Sequence, residues 1–161
     1  NTIAPFYNGS FYGGTSLGND AWLVYGMRGN VYRSTDGGLT WTKSSVPHMF
    51  SLLGHYVDDA GAIFLTGLNG TILKSEDGGQ TFAEIRRGPQ AALLAMLPDP
   101  KGGWLMATEQ GLRHYAQDFR LDGEKTLTPV PAAMPQVAAE PAASAASEGA
   151  SANASETGAA Q

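Results

Sequence analysis

The chain has 161 residues, enough for one domain, and its 21 glycines, six tyrosines, six phenylalanines and three tryptophans favour turn-rich β-structure. The absence of cysteine excludes disulfides, cysteine nucleophiles and cysteine-ligated metals, and a formal net charge of −5 disfavours nucleic-acid binding through a basic surface. No apolar run approaches the roughly 20 residues that span a bilayer, so we expect no direct membrane insertion.

Similar segments recur along the chain at an offset of 41 residues. The three aligned segments are AWLVYGMRGNVYRS (21–34), AIFLTGLNGTILKS (62–75) and GWLMATEQGLRHYA (103–116). We interpret the chain as three ungapped repeats, which cover approximately residues 10–50, 51–91 and 92–132. A fixed period of about 40–45 residues is typical of the blades of a β-propeller.

Each repeat divides into four short strand-like pieces separated by turn residues. In the second repeat these pieces are Ser51–Val57, Ala62–Gly67, Thr71–Ser75 and Thr81–Arg86. The dipeptide Asn69-Gly70 between the second and third pieces is favoured in tight hairpin turns, because both residues tolerate positive φ. Four antiparallel strands per repeat predict an all-β fold, a β-propeller. Trp22 and Trp104 are predicted to pack in the core as strand residues.

A second kind of turn occurs twice, as RSTDGGLTW (33–41) and KSEDGGQTF (74–82). It resembles the Asp-box of BNR repeats, with the residues Ser34, Asp36, Gly38, Thr40, Trp41, Ser75, Asp77, Gly79, Thr81 and Phe82. A carboxylate in such a turn can accept backbone N–H groups of the following residues, and glycines permit left-handed backbone. We therefore predict a structural role for these residues rather than catalysis. The third repeat keeps only Asp118 of the pattern.

The whole repeat resembles the Ycf48/Hcf136-like family of photosystem II assembly and stability factors, also described as YVTN/BNR-like repeat proteins. Both GMRGNVYRSTDGGLTW and GLNGTILKSEDGGQTF place Gly-x-x-Gly ahead of the Asp-box serine, and the resemblance extends over residues 10–125. It implies a seven-bladed, non-enzymatic propeller without a cofactor, which binds a protein partner such as a membrane-protein complex. It also implies export, to the periplasm or to the thylakoid lumen of a photosynthetic host.

Three blades are fewer than the roughly four to eight that close a propeller ring. An open set of blades would expose strand edges and an apolar face. We therefore expect the chain, which starts at Asn1 rather than at Met, to be the C-terminal part of a longer propeller. Closure by self-association of three-blade units is the less favoured interpretation.

The C-terminal region differs in composition from the repeats. Residues 131–161 are mostly Ala, Ser, Pro and Glu and contain no aromatic residue. Such a segment buries too little apolar area to offset the entropy lost on ordering. We predict propeller blades within residues 1–130 and a disordered tail from 131 to 161.

One face of the predicted propeller is the candidate binding face. Strand alternation places the turn between the second and third strands of a blade on the same face as the connection to the next blade. The candidate partner-binding residues there are Arg28, His48, Asn69, Arg86 and Arg87. The arginines would form a basic rim suited to carboxylates or an acidic peptide. Solvated loop arginines without a binding role are the alternative.

No recognisable catalytic set occurs in the sequence. His48, His55 and His114 fall at three different positions of their repeats and predict no metal site. The alternative function is that of a fragment of a sialidase-like BNR glycoside hydrolase. Its carboxylate pair, or its tyrosine nucleophile, would then lie in blades upstream of this chain.

Overall fold

The computed structural model describes residues 7–88 and 91–121, which form strands and turns arranged in three antiparallel sheets. The first sheet contains β1 (Phe11–Gly18), β2 (Ala21–Gly26), β3 (Val31–Ser34) and β4 (Thr42–Lys43). The second contains β5 (Leu52–Val57), β6 (Ile63–Gly67), β7 (Ile72–Ser75) and β8 (Ala83–Arg86). The third contains β9 (Leu93–Pro98), β10 (Trp104–Thr108) and β11 (Gly111–Tyr115). Short 3₁₀ turns are Met27–Gly29 and Leu68–Gly70.

Each strand pairs with its neighbour in sequence, so each sheet has the meander of a propeller blade. In the second sheet every observed strand boundary lies within two residues of its predicted position. The predicted all-β class is confirmed, and the first two sheets are four-stranded antiparallel blades as predicted. In the third sheet the described residues form three strands. Across the described residues, no helix has the length and apolar character needed to cross a membrane. The tail predicted for 131–161 lies outside the described residues.

The hairpin turn of the second sheet has the backbone that its sequence predicts. Asn69 and Gly70 have φ values of 57° and 62°, and the Thr71 N–H donates to the Leu68 carbonyl at 3.2 Å. Positive φ at two successive residues is the requirement that favours the Asn-Gly dipeptide. The turn therefore reverses the chain directly between β6 and β7.

The third sheet differs in register from the other two. In the second sheet Leu65 pairs with Leu73, so an offset of 41 residues would pair Met106 with His114. In the structure Met106 instead pairs with Arg113. The ungapped alignment of the third repeat is therefore wrong at β11. Because a one-residue slip moves every side chain to the opposite face of a strand, Tyr115 points towards the second sheet and is buried.

Two hydrophobic clusters hold the sheets face to face. The cluster between the first and second sheets contains Leu23, Tyr25, Val31, Leu52, Ile63, Leu65, Leu73 and Phe82. The cluster between the second and third sheets contains Ala62, Phe64, Ile72, Leu93, Met96, Met106 and Tyr115. Burying one large apolar side chain contributes about 1.5–3 kcal/mol, so the contact between sheets is a main source of stability.

The two tryptophans predicted as core residues have different environments. Trp104 stacks on Phe119 with ring centroids 5.3 Å apart and packs against the second core cluster. Trp22 is 44% exposed, so the prediction is wrong for this residue. The reason is strand alternation: the neighbouring Leu23 faces the second sheet, and Trp22 therefore lies on the opposite side of β2.

Candidate functional site

The first Asp-box turn uses its carboxylate internally. Asp36 Oδ1 accepts from Ser34 Oγ at 2.7 Å and from the Thr40 N–H at 2.9 Å, and Asp36 Oδ2 accepts from Thr40 Oγ1 at 2.6 Å. Ser34 Oγ accepts the Gly38 N–H at 2.9 Å. The bonds from Thr40, followed by the bond from Ser34, lower the pKa of Asp36 to about 2.

The second Asp-box turn repeats these contacts. Asp77 Oδ1 accepts from Ser75 Oγ at 2.8 Å and from the Gln80 N–H at 2.9 Å, while Oδ2 accepts from Thr81 Oγ1 at 2.6 Å. Burial alone would raise the pKa of Asp77, but the hydrogen bonds from Thr81, Ser75 and Gln80 together outweigh it and lower the pKa. Both carboxylates are thus committed to their own turns.

The second Asp-box also attaches its sheet to the preceding one. Ser44 Oγ, just after β4, donates to the Gly79 carbonyl at 2.6 Å. The Ser45 N–H donates to the Gln80 carbonyl, and the Phe82 N–H donates to the Ser45 carbonyl, both at 2.9 Å. These bonds, one from a side-chain hydroxyl and two between backbone groups, join two blades, a role that the box sequence alone does not indicate.

We expect the stability of the chain to fall as the pH is lowered from about 4 to about 2. The pKa of Asp36 is about 2 when folded, against 3.8 for an ordinary aspartate. The unfolded chain therefore takes up protons first as the pH falls, and stability that is present above pH 3.8 is lost towards pH 2. The measurement is the melting temperature by circular dichroism across this range.

Two variants distinguish the contribution of the Asp-box carboxylates to stability at low pH from general acid denaturation. The Asp36→Asn/Asp77→Asn variant should melt lower at neutral pH and depend less on pH between 4 and 2. Asp118→Asn should keep the native pH dependence, because Asp118 is exposed and its contacts are with the exposed Arg120: Oδ1 accepts the Arg120 N–H at 3.2 Å, and Oδ2 lies 3.0 Å from Arg120 Nε. A double variant with the native pH profile would contradict the assignment.

The candidate binding face is organised around Ser51. The Arg28 N–H donates to Ser51 Oγ at 3.3 Å, and the Leu68 N–H donates to the Ser51 carbonyl at 3.0 Å. A Cβ on Gly29 would overlap the His48 carbonyl and lie 3.3 Å from Met49 Cα. The two hairpin turns and the connection between the first two sheets therefore share one face, as predicted from strand alternation.

The side chains of Arg28, Met49 and Leu68 form what we call the loop-face surface. All three residues are exposed, Met49 by 78% and Leu68 by 40%. Sequence analysis identified Arg28 but not the two apolar residues. For Met49, the sequence signal that could have identified it was the apolar pair Met49-Phe50 in the connection that follows Pro47, where polar residues are usual.

A charged cluster, which we call the His48 cluster, lies beside this surface and consists of His48, Phe50, Glu84 and Arg87. Arg87 Nε donates to Glu84 Oε1 at 2.7 Å and Nη2 donates to Oε2 at 2.9 Å, which raises the pKa of Arg87. His48 Nε2 contacts Glu84 Oε2, and the Arg87 guanidinium lies 5.6 Å from the centre of the Phe50 ring. Glu84 thus neutralises the charge that Arg87 would otherwise contribute.

The predicted basic rim is wrong for Arg86, which is 1% exposed. Its Nη1 donates to the Gly70 carbonyl at 3.1 Å, and its guanidinium lies 5.1 Å from the centre of the Tyr115 ring. A bulge in β8 is the cause, because Leu73 pairs with Glu84 while Ile72 pairs with Arg86. Arg86 therefore points between the second and third sheets instead of to solvent.

For the other candidate residues of this face, a role in partner binding stays a prediction. Asn69 is exposed, and its carbonyl accepts the Gly88 N–H at 3.2 Å. His55 and His114 lie apart from the face: His55 Nδ1 is 2.9 Å from Tyr25 Oη, and His114 Nδ1 is 3.0 Å from Asp99 Oδ2. Over residues 7–88 and 91–121, no three His, Asp or Glu side chains are grouped to hold a metal ion.

Comparison with known proteins finds a distant structural likeness. No family model and no curated protein sequence matches the chain. A solved structure titled "YCF48 bound to D1 peptide" is similar, with 20% identity over 73% of this chain and a TM-score of 0.49. The chain spans 38% of the length of that solved chain.

Proposed function

We propose that the chain is a non-catalytic β-propeller scaffold of the Ycf48-like kind and binds a protein partner through the loop-face surface. The observation that carries the proposal is the exposure of Met49 and Leu68. The Leu68 N–H is bonded to the Ser51 carbonyl, and Met49 Cα lies against Gly29 of the neighbouring hairpin turn. Exposed apolar side chains on an ordered surface are typical of protein interaction sites. A role in assembling a membrane-protein complex, and export from the cytoplasm, are further parts of the proposal and rest on the resemblance of the repeats.

The charge beside the apolar side chains indicates the chemistry of the partner. Arg28 is exposed next to Ser51, and only its backbone N–H takes part in the contact with Ser51. Arg87 adds less positive charge, because Glu84 accepts two of its hydrogen bonds. A peptide with an apolar side chain flanked by carboxylates would complement this surface.

The test is selection of random linear peptides from a display library on the immobilised full chain. We expect enriched peptides to contain an apolar residue next to Asp or Glu. The Arg28→Ala/Leu68→Asp variant should bind them at least about tenfold more weakly, equivalent to a loss of about 1.4 kcal/mol. The measurement is the dissociation constant of the enriched peptides by fluorescence anisotropy.

The matched control is Leu39→Asp, which changes a residue that is 84% exposed on the first Asp-box turn. It should bind the selected peptides as the native chain does. If Leu39→Asp weakens binding and the loop-face variant does not, the assignment of the surface is wrong. Hydrolysis of a chromogenic sialoside by the full-length protein, including any blades upstream of this chain, would instead favour the glycoside hydrolase alternative.

A further inference from the structure

The methionines of the chain differ widely in their exposure to solvent. Four of the five lie in the part of the chain that the structure describes. Met96 and Met106 are 1% and 0% exposed, in the cluster between the second and third sheets, and Met27 in the first hairpin turn is half-buried. Met49, on the loop-face surface, is 78% exposed. Of these four, Met49 is therefore the methionine that a dissolved oxidant reaches without any opening of the structure.

The residues on both sides of Met49 pack against other parts of the chain. The His48 carbonyl lies so close to Gly29 of the first hairpin turn that a Cβ on Gly29 would overlap it. The Phe50 ring lies 5.6 Å from the Arg87 guanidinium. His48 and Phe50 are half-buried, whereas Met49 between them is exposed. Met49 is therefore presented to solvent by a connection that is packed on both sides of it.

Oxidation of Met49 would change the property on which the loop-face surface depends. When a methionine reacts with hydrogen peroxide, one peroxide oxygen bonds to the thioether sulfur, the O–O bond breaks, and the second oxygen leaves as water. The sulfur is oxidised by two electrons and the peroxide is reduced. The sulfoxide is polar, whereas the thioether is apolar. A partner that covers the sulfoxide must therefore hydrogen bond to it or lose binding free energy.

We propose that Met49 is a site of reversible oxidation by peroxides, and that its sulfoxide form no longer supports partner binding at the loop-face surface. The second part rests on the function proposed above, and the first part does not. Reversal is reduction of the sulfoxide by a methionine sulfoxide reductase, with a dithiol as electron donor and water as product. Because the Met49 side chain is exposed, its oxidation leaves the core unchanged.

The first test is oxidation of the folded full chain with hydrogen peroxide, followed by tryptic digestion and mass spectrometry. Trypsin cleaves after lysine and arginine, so the five methionines fall in five different peptides and each is followed separately. We expect Met49 to take up oxygen at least about tenfold faster than Met96 and Met106, because those two are reached only when the structure opens. The same treatment in concentrated urea should remove the difference.

The second test uses the peptides selected on the immobilised chain. Oxidation should weaken their binding at least about tenfold, equivalent to a loss of about 1.4 kcal/mol, and treatment with the reductase and dithiothreitol should restore it. Met49→Gln, which places a polar group there without oxidant, should also bind more weakly. The affinity of Met49→Leu before peroxide treatment is the reference for that variant, and peroxide should leave it unchanged. The control Met27→Leu should lose affinity in peroxide as the native chain does.

Three results would each overturn the assignment. They are oxidation of Met27, Met96 or Met106 as fast as that of Met49 in the folded chain, native affinity after Met49 is oxidised, and loss of affinity in peroxide by Met49→Leu. A melting temperature that is unchanged by oxidation shows that any loss of affinity is local. A selection that yields no binding peptide would instead refute the proposed function, and the tryptic map would still decide whether Met49 is oxidised first.

Discussion

Replacing Arg86 by alanine is expected to lower the free energy of unfolding by about 2–5 kcal/mol, the range found for large buried side chains. The substitution removes the hydrogen bond from Nη1 to the Gly70 carbonyl and leaves a cavity beside the Tyr115 ring. Gly70 lies in the turn between β6 and β7, and Tyr115 lies at the end of β11. Arg86 therefore connects a hairpin turn of the second sheet to the core of the third.

The measurement is the midpoint of urea denaturation followed by tryptophan fluorescence, with the slope checked for two-state behaviour. Arg86→Lys should recover only part of the loss, because an ammonium group cannot stack on the tyrosine ring as a planar guanidinium does. Arg120→Ala is the matched control, since the side chains of Arg120 and of its partner Asp118 are both more than half exposed and exposed ion pairs contribute about 0–1 kcal/mol. Equal losses for the two alanine variants would contradict the structural role of Arg86.

Replacing Gly54 by valine is expected to destabilise the chain by about 3 kcal/mol, at the upper end of the cost of overpacking. A Cβ at this position of β5 would overlap the Leu94 carbonyl oxygen and lie 2.7 Å from Thr66 Oγ1. Leu94 belongs to β9, so the second and third sheets approach each other at this point through backbone atoms. Backbone of a paired strand cannot shift without separating the cores on either side of it.

The effect is measured as the change in melting temperature and in urea midpoint relative to the native chain. Ala83→Val is the control, because it adds a valine to an exposed position of β8 in the same sheet, where a β-branched residue is well tolerated. We expect Gly54→Ala to be destabilising as well, since the overlap begins at Cβ. Native stability in Gly54→Val would show that the two sheets are not in close contact here.

Sequence reasoning succeeded where local chemistry decides the structure. The Asn69-Gly70 turn needs positive φ at two successive residues, and few dipeptides provide it. The offset of 41 residues and the alternation of strands and turns were sufficient for the all-β propeller class and for the strand boundaries of the second sheet. The loop-face location of Arg28 also follows from alternation, without knowledge of any contact.

The failures at Arg86 and in the third sheet share one cause, which is that strand register is invisible in a single sequence. Arg86 and Arg87 are identical residue types, and a bulge in β8 decides which of them is buried. A one-residue slip in the third sheet likewise turns Tyr115 inwards and leaves His114 outside. Both events depend on hydrogen bonds to a neighbouring strand, and a shift of one residue reverses the face on which every later side chain lies.

The sequence by itself determined the repeat, the turn chemistry and the type of fold, because these depend on residues that are close together in the chain. Only the tertiary structure decided which arginine is available to a partner and that Met49 and Leu68 lie beside Arg28. It also decided that Gly54 lies against the next blade. These outcomes depend on which faces of neighbouring sheets meet, and packing between segments about 40 residues apart settles them.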